Sequence, residues 1–245
     1  MISHSNKLFA REIARKIGLE VAPSNLNTRF DLRLKYLLDT LNPDYLLDVG
    51  ANRGQFAGQV FTSGFKGTMV SFEALPHVYG ELTKKAEAYG GRWKVAPRFV
   101  LSDSDGSVTF HVSNNFASSS MLEFTEYSTE RSVALQEREA IEVQTRRLDD
   151  LLPEMGIEPQ RPFLKLDVQG AEHKVLAGGT SILERAQGVL CEVLLVPFYE
   201  GQASWREIDA FIIQRGFDLW DLNPVMRVME TGQLEALDLV YVRRK

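Results

Sequence analysis

The chain has 245 residues, of which 44% are hydrophobic, and this is enough apolar material for one large α/β domain or two small ones. Its formal net charge of −5 argues against a nucleic-acid-binding protein that is held to phosphates by a basic face. Cys191 is the single cysteine, so no internal disulfide can form, and no apolar run approaches the roughly 20 residues of a membrane-spanning helix. These features predict a cytoplasmic protein with no transmembrane segment and no nucleic acid among its partners.

The N-terminal part of the chain carries basic and apolar residues at helical spacing. MISHSNKLFAREIARK lacks the continuous apolar core of a signal peptide. Residues 28–41 place Phe30, Leu34, Leu37 and Leu41 near one helical face. We predict an N-terminal helical segment, residues 1–42, that packs on a core domain of residues 43–245. A basic helix that docks on a membrane surface or on a partner is the alternative.

From residue 45 onward, short apolar runs alternate with helical segments. YLLDV predicts a buried strand, QFAGQVFTSG predicts a helix, and TMVSFEA predicts a second strand. A helix to about residue 89 follows. WKVAPRFVLS then predicts one strand, which Pro97 makes irregular in its middle.

The pattern changes between about residues 104 and 147. GSVTFHVS and AIEVQTRRL alternate apolar and polar residues, which predicts extra strands that run antiparallel to each other. We expect this insertion to cover a ligand cleft. Strands and helices then resume with PFLKLDV, a helix over residues 171–184, GVLCEVLLV, a helix over residues 204–215, and a last antiparallel pair, FDLWDL and LDLVYVRR. The alternation predicts an α/β fold with a largely parallel sheet flanked by helices.

Acidic residues end four of the apolar runs that predict central strands: Asp48, Glu73, Asp167 and Glu192. In an open parallel sheet, ligands bind beyond the carboxyl ends of the strands. Each acid can also be an ordinary turn or capping residue. Four carboxylates at one rim repel one another, so we expect a cationic ligand, hydroxyl donors or a metal to offset the repulsion.

The turn in LLDVGANRG suits a nucleoside better than a dinucleotide. Gly50 and Gly54 let a ligand approach the backbone, and Glu73 can accept hydrogen bonds from a ribose diol. A dinucleotide site requires Gly-x-Gly-x-x-Gly, but here Asn52 stands where the middle glycine belongs.

Two stretches, DVGANRGQF and SFEALP, resemble the first two motifs of the class I S-adenosylmethionine-dependent methyltransferases. The segment FLKLDVQGAEHKVLAGG, at 163–179, resembles the signature of the FkbM-type branch. Further pieces match that branch in order and spacing, namely VLSDSDGSVTFHVS, SSSML and TRRLDDLL. The resemblance runs from about residue 45 to the C-terminus, and the first forty residues carry no motif of the family.

The resemblance implies a Rossmann-like α/β fold: a mostly parallel seven-stranded sheet with an antiparallel last strand, helices on both faces, and extra β-strands inserted after the third strand. It implies S-adenosylmethionine as the methyl donor. The residues implied to bind this donor are Asp48, Gly50, Asn52 and Gly54 around its methionine and ribose, Glu73 on the ribose hydroxyls, Leu75 on the adenine, and Ser102 and Asp103 at the adenine edge. Ser118 to Ser120 resemble a family segment near the cofactor and acceptor cleft.

The candidate catalytic residues are Asp167, Glu172, Lys165 and Glu192. Neighbouring side chains on a helix diverge by about 100°, so we expect Glu172 to face the cleft and His173 to be exposed. Lys165 is a cation in an otherwise apolar strand and needs a partner. We expect Glu172 or Glu192 to be that partner.

Magnesium is an open question at this stage. Some related sugar O-methyltransferases hold magnesium with aspartates near the cleft, and Asp167 and Glu192 are oxygen ligands of the right kind. No second carboxylate follows Asp167 directly, because Val168-Gln169-Gly170 comes next. We predict no metal ligands and leave magnesium open as a second cofactor.

These observations predict an S-adenosylmethionine-dependent O-methyltransferase that acts on a hydroxyl of a small molecule, with a sugar or glycan-linked acceptor as the first candidate. A homodimer stays open. One alternative is a nicotinamide-dependent oxidoreductase, which Asn52 disfavours. The other is a non-catalytic module that keeps the nucleoside pocket and binds a partner.

Overall fold

The computed structural model describes Phe9, residues 12–19 and residues 21–245. The chain divides into two compact units, residues 1–40 and residues 41–245. Much of the basic N-terminal helix predicted from the sequence lies outside the described residues, while residues 12–16 are helical. Helix α1 (Phe30–Leu41) buries Leu34, Leu37 and Leu38, the apolar face that its spacing predicts. The packing of the N-terminal segment on the core stays a prediction.

The larger unit contains two β-sheets. The strands of the described residues, in chain order, are β1 (Tyr45–Val49), β2 (Thr68–Phe72), β3 (Trp93–Val95), β4 (Val100–Leu101), β5 (Gly106–Ser113), β6 (Glu137–Arg146), β7 (Phe163–Leu166), β8 (Gly188–Leu194), β9 (Phe217–Arg227) and β10 (Leu234–Arg243). The main sheet has seven strands in the order β3-β2-β1-β7-β8-β10-β9, and the second sheet has the order β4-β6-β5. In the main sheet β10 runs antiparallel to both of its neighbours, while the other pairings are parallel.

The helices of the larger unit are α2 (Gln55–Thr62), α3 (Pro76–Glu87), α4 (Glu126–Arg131), α5 (Leu148–Glu154), α6 (Glu172–Gly178), α7 (Thr180–Arg185) and α8 (Trp205–Gln214). Most of the helices lie between strands of the main sheet, and α4 lies between β5 and β6 of the second sheet. From the centre of the sheet, β1, β2 and β3 follow one another towards one edge, and β7 and β8 follow one another towards the other edge. Because parallel crossovers are right-handed, this reversal puts the two sets of helices on opposite faces of the sheet. The predicted Rossmann-like architecture with an antiparallel last strand is confirmed.

The centre of the main sheet is apolar on both faces. Leu47 of β1, Leu164 of β7 and Val189 of β8 are register partners on one face, where they are buried in one core cluster with residues of the helices. Leu46 and Phe163, on the other face, are fully buried as well. Continuous apolar strands of this kind are typical of parallel sheets that are covered on both sides. The strand order reverses between β1 and β7, so the loops that follow these two strands lead to opposite faces of the sheet, and ligands bind at such a reversal in open α/β sheets.

The insertion forms the second sheet. Strand β5 pairs antiparallel with β6, as the alternating patterns predict, and β4 pairs parallel with β6. One prediction was wrong here, because WKVAPRFVLS is not a single strand. Its first part is β3 in the main sheet and its last part is β4 in the second sheet, and Pro97 lies in the break between them, where it cannot donate to a ladder.

Two other boundaries differ from the sequence predictions. The helix expected over residues 171–184 is two helices, α6 and α7, which meet at Gly178 and Gly179. A Cβ on Gly178 would lie 1.9 Å from the backbone oxygen of Ser102, so the close approach of these segments requires glycine. Strand β9 continues past FDLWDL to Arg227. Among the described helices, none has the length and apolar character that crossing a membrane requires.

Candidate active site

A cavity of about 300 Å³ lies at the carboxyl ends of the central strands of the main sheet. Its walls come from the loops after β1, β2, β7 and β8, from the second sheet, and from the hairpin of β9 and β10. Of the residues proposed from the sequence, those that line it are Gly50, Asn52, Glu73, Leu75, Ser118, Ser119, Asp167 and Glu192. The insertion therefore contributes directly to the walls.

The loop after β1 brings bare backbone to the cavity. Gly50 has φ +76°, and a Cβ there would lie 1.8 Å from the backbone oxygen of Asp167, so the loop can close on β7 only with glycine at this position. Asn52 has φ +47° and lines the cavity. Gly54 does not line it. A Cβ on Gly54 would lie 2.6 Å from the ring of Trp93, so this glycine permits close packing against β3.

Glu73, directly after β2, is buried in the cavity wall. Its Oε2 accepts a hydrogen bond from the backbone N–H of Asn52 and its Oε1 accepts one from Leu75, both at 2.8 Å. Burial raises the pKa of Glu73, although these N–H groups favour the charged form. Each carboxylate oxygen keeps a second acceptor site, and two such sites side by side match a vicinal diol.

Lys165 is enclosed by acceptors at the end of β7. Its Nζ lies 3.3 Å from Asp48 Oδ1 and 3.4 Å from Asp167 Oδ2, and it donates to the backbone oxygen of Gly50 at 3.0 Å. The predicted pairing with Glu172 or Glu192 was wrong, because β1 and β7 are neighbours and their register places Asp48 beside Lys165. Burial alone would lower the pKa of Lys165, but the two carboxylates outweigh it and raise the pKa. Lys165 is therefore a fixed cation and not a proton acceptor.

Glu172 and His173 both differ from their predicted positions. Glu172 is buried away from the cavity, and its Oε1 accepts hydrogen bonds from the backbone N–H groups of Val168 (2.9 Å) and Gly170 (3.3 Å). It therefore stabilises the turn after β7 and does not face the cleft. Burial raises the pKa of Glu172 to about 7. His173 is half-buried, not exposed, and burial lowers its pKa.

Gln169 joins two of the three carboxylates that line the cavity. Its Nε2 donates to Asp167 Oδ1 at 2.7 Å and to Glu192 Oε1 at 3.0 Å. The Tyr199 hydroxyl donates to the backbone oxygen of Ser118 at 2.7 Å and lies 3.1 Å from Gln169 Oε1. Gln169 has φ +56°, a left-handed conformation that non-glycine residues rarely adopt and that is often found at functional sites.

The carboxylates around Gln169 repel one another. Burial raises the pKa of Glu192 well above its ordinary value, and the nearby charges of Asp167 and Asp238 raise it further. Burial also raises the pKa of Asp238 to about 6. Asp238 is the register partner of Glu192 across β8 and β10, and its Oδ2 accepts a hydrogen bond from Asn223 at 3.0 Å. The surroundings of Glu192 therefore favour its protonated form.

The donor set does not fit a metal ion. Among the described residues, no group of three or more histidine, cysteine or acidic side chains is arranged to hold one. The amide nitrogen of Gln169 already bridges Asp167 and Glu192, and this nitrogen is a hydrogen-bond donor and not a ligand. These residues therefore do not fit magnesium.

Ser102 and Asp103 lie outside the cavity wall, in contrast to their neighbour Leu101. Ser102 Oγ donates to Asp103 Oδ1 at 3.1 Å, and Asp103 forms a 3.6 Å ion pair with Lys174. In the serine segment, Ser118 and Ser119 line the cavity, while the Ser120 hydroxyl donates to the backbone oxygen of Gln169 at 2.7 Å.

Sequence reasoning missed several lining residues, namely Gln169, Tyr199, Phe110, Phe116, Phe198 and Met226. Gln169 carried a signal, since it stands between Asp167 and Gly170 in the strand-end turn. The aromatic residues carried none, because they come from distant parts of the chain and their patterns are those of ordinary core residues.

The family model of the methyltransferase FkbM domain matches residues 48–219 of this chain. The chain is 29% identical over 178 residues to the 2-O-methyltransferase NoeI of Sinorhizobium fredii, covering 70% of this chain and 72% of that protein. It is 32% identical over 151 residues to the hexuronic acid methyltransferase AglP of Haloferax volcanii, covering 61% of this chain and 56% of that protein.

Solved structures of methyltransferases are also similar. An rRNA methylase of Streptococcus thermophilus aligns over 90% of this chain and 100% of its own, with a TM-score of 0.48 and 10% identity. A precorrin-6y C5,15-methyltransferase of Geobacter metallireducens aligns over 92% of this chain and 94% of its own, with a TM-score of 0.46 and 10% identity.

Proposed function

The chain belongs to the FkbM family of S-adenosylmethionine-dependent methyltransferases, and we propose that it transfers the methyl group to a hydroxyl of a sugar or glycan-linked acceptor. The observation that carries the proposal is the Glu73 carboxylate, which the N–H groups of Asn52 and Leu75 fix in the wall of a cavity at the strand ends. The names of the relatives NoeI and AglP, a 2-O-methyltransferase and a hexuronic acid methyltransferase, support oxygen as the methylated atom and a sugar as its carrier.

The residues on one side of the cavity fit the donor. Glu73 would accept from the two ribose hydroxyls, Leu75 would pack on the adenine, and Gly50 and Asn52 would leave room beside the backbone. S-adenosylmethionine, when bound, supplies an electrophilic methyl group on a positively charged sulfur. The carboxylate of Asp167, which also lines the cavity, favours a positive charge nearby.

The residues on the other side fit the acceptor hydroxyl. Glu192 would accept the proton of the acceptor hydroxyl as its oxygen takes the methyl group, with the electron pair of the broken carbon–sulfur bond left on the sulfur. Gln169 donates hydrogen bonds to Glu192 and Asp167 and so fixes their carboxylates, and Lys165 forms an ion pair with Asp167. Apolar walls, which include Phe198 and Leu194, exclude water from the reacting atoms.

The proposed function can be tested by incubating the protein with S-adenosylmethionine and a library of glycosides and glycans, followed by mass spectrometry. We expect one acceptor class to gain the mass of a single methyl group in place of a hydrogen. The gained methyl should be located on oxygen by fragmentation. Donor binding with no methylation of any hydroxylated acceptor would favour a non-catalytic nucleoside-binding module, and oxidation of an acceptor with a nicotinamide cofactor would favour the oxidoreductase alternative.

A further inference from the structure

The cavity extends along the edge of the main sheet. One end is lined by Glu73 and Leu75, which follow β2, and the other end is lined by Met226 of β9 and Ala236 of β10. Four strand spacings separate β2 from β10, a distance of roughly 19 Å at about 4.8 Å per spacing. If the donor lies at the β2 end, as the proposed function requires, the β8–β10 end is left for the acceptor. We call it the acceptor end.

The acceptor end combines apolar walls with side chains that can form hydrogen bonds. Its apolar residues are Leu194, Phe198, Val225, Met226 and Ala236, and its polar side chains are Glu192, Gln169 and Tyr199. Among the described residues that line the cavity as a whole, none is lysine, arginine or histidine, whereas three are acidic. An anion bound here would be desolvated with no cation to pair with it.

Lys165 and Arg131 are basic residues next to lining residues in space or in sequence, and both are engaged by carboxylates. Lys165 is enclosed by Asp48, Asp167 and the Gly50 carbonyl. Arg131 forms a two-pronged contact with the buried carboxylate of Glu235, with both nitrogen–oxygen distances at 3.1 Å.

Two more arginines contact an aromatic ring of the wall. Arg53 and Arg138 lie over the ring of Phe116, at 6.0 Å and 5.6 Å from its centroid, and the residue that faces the cavity is Phe116. Arg53 also forms an ion pair with Glu81 at 2.8 Å. Neither arginine lines the cavity.

We propose that the acceptor end takes an uncharged hydroxyl compound with an apolar face, such as an alkyl glycoside or a deoxy sugar, and excludes acidic sugars. This inference rests on the proposed function, because it assumes that the cavity holds an acceptor beside the donor. It names the substrate class of the same site.

Glu192 shows that the surroundings of the acceptor end disfavour a negative charge. Its carboxyl occupies the acceptor end, and burial together with Asp167 and Asp238 shifts it towards its neutral form. The carboxylate of a uronic acid would meet the same walls and the same charges. The hydroxyls of a neutral sugar, by contrast, can donate to Glu192 and to Gln169 Oε1, and its C–H face can pack on Phe198.

A matched set of acceptors tests the proposal. Protein saturated with S-adenosylhomocysteine is titrated calorimetrically with the hexyl glycosides of glucose, galactose and mannose and with the corresponding hexyl uronides, which differ by one carboxylate. We expect at least one neutral glycoside to bind at least about tenfold more tightly than its uronide. Equal or tighter binding of the uronides, or no binding of any neutral glycoside, would overturn the proposal. A separate titration with S-adenosylmethionine alone tests whether the protein binds the methyl donor, which the proposed function requires.

A charge placed in the wall provides a second test. Met226→Lys puts a cation at the acceptor end, and we expect the preference for neutral glycosides to fall by about tenfold or to reverse. Met229→Lys is the matched control on the same hairpin, since Met229 is 91% exposed and does not line the cavity, and it should leave the preference unchanged. If Met226→Lys fails to fold, Val225→Lys replaces it, because Val225 lines the cavity and is 47% exposed. A folded wall variant that keeps the wild-type preference would contradict the inference.

Discussion

Lys165 Nζ lies 3.3 Å from Asp48 Oδ1, and both side chains are buried. This contact joins β7 to β1 at the point where the strand order reverses. Because Lys165 also contacts Asp167, which lines the cavity, one buried cation connects the interior of the sheet to the candidate active site.

Lys165→Met should strongly destabilise the protein. The substitution keeps the size of the side chain but leaves two carboxylates without their cation, and breaking a buried pair in this way costs about 3–5 kcal/mol. Urea unfolding followed by circular dichroism measures the loss. Arg244→Met is the control, since its ion pair with Asp218 is exposed and such pairs contribute at most about 1 kcal/mol.

The double variant Asp48→Asn/Lys165→Met separates charge from packing. Removing the charge of Asp48 should recover part of the stability that Lys165→Met loses, because fewer unpaired charges remain buried. Additive losses would show that the two side chains are not coupled.

Glu172→Gln should stabilise the protein at neutral and higher pH. Burial raises the pKa of Glu172 from 4.5 to about 7, so its neutral form favours folding at low pH and this contribution is lost as the pH rises through about 7. Glutamine keeps an acceptor for Val168 and Gly170 and never ionises. The melting temperature of the variant relative to wild type should therefore increase between about pH 5 and about pH 8.

Glu172→Ala is the control for the turn that Glu172 stabilises. It removes the acceptor of the Val168 and Gly170 N–H groups, so it should be destabilising by about 1–3 kcal/mol at every pH. A Glu172→Gln variant that is less stable than wild type at high pH would contradict the burial argument.

Glu192→Gln should reduce methyl transfer by about 10²–10⁴-fold and leave donor affinity within about twofold of wild type. The amide cannot accept the hydroxyl proton, while its shape is preserved. Because burial raises the pKa of Glu192, kcat/KM of the wild type should still be rising with pH above neutrality, and the variant should lose this rise. Single-turnover measurements across pH with saturating donor test the loss of rate and the loss of the pH-dependent rise, and calorimetric titration tests the donor affinity. Wild-type turnover in the variant would exclude Glu192 as the base.

The sequence predicted the fold well because the fold depends on patterns that are local. The alternation of apolar strands with helices, and the alternating residues of 106–113 and 140–146, each specify one element and its covered face. Interruptions of a strand or a helix that depend on distant parts of the chain were harder to predict. Pro97 divides two strands that belong to different sheets, and the Gly178 position is decided by the backbone of Ser102, which lies far away in sequence.

The candidate site was predictable only in part, for the same reason. Glu73 and Asp167 could be found because they directly follow β2 and β7, and Glu192 because it lies near the carboxyl end of β8 at the same edge of the sheet. The partner of Lys165 could not be found, since it depends on β1 lying next to β7. The Gln169 bridge likewise exists only because β7 and β8 are neighbours. The homodimer and the absence of nucleic-acid partners stay predictions.

The most direct test of the account is calorimetric titration of S-adenosylmethionine into the wild type, Glu73→Gln and Glu81→Gln. Glu81 is exposed, pairs with Arg53 and does not line the cavity, so its variant should bind as the wild type does. We predict saturable binding to the wild type and affinity at least about tenfold weaker for Glu73→Gln, because hydrogen bonds to a charged group contribute about 1.5–3 kcal/mol. No binding to the wild type, or equal affinity in wild type and Glu73→Gln, would contradict the claim that this cavity holds the methyl donor.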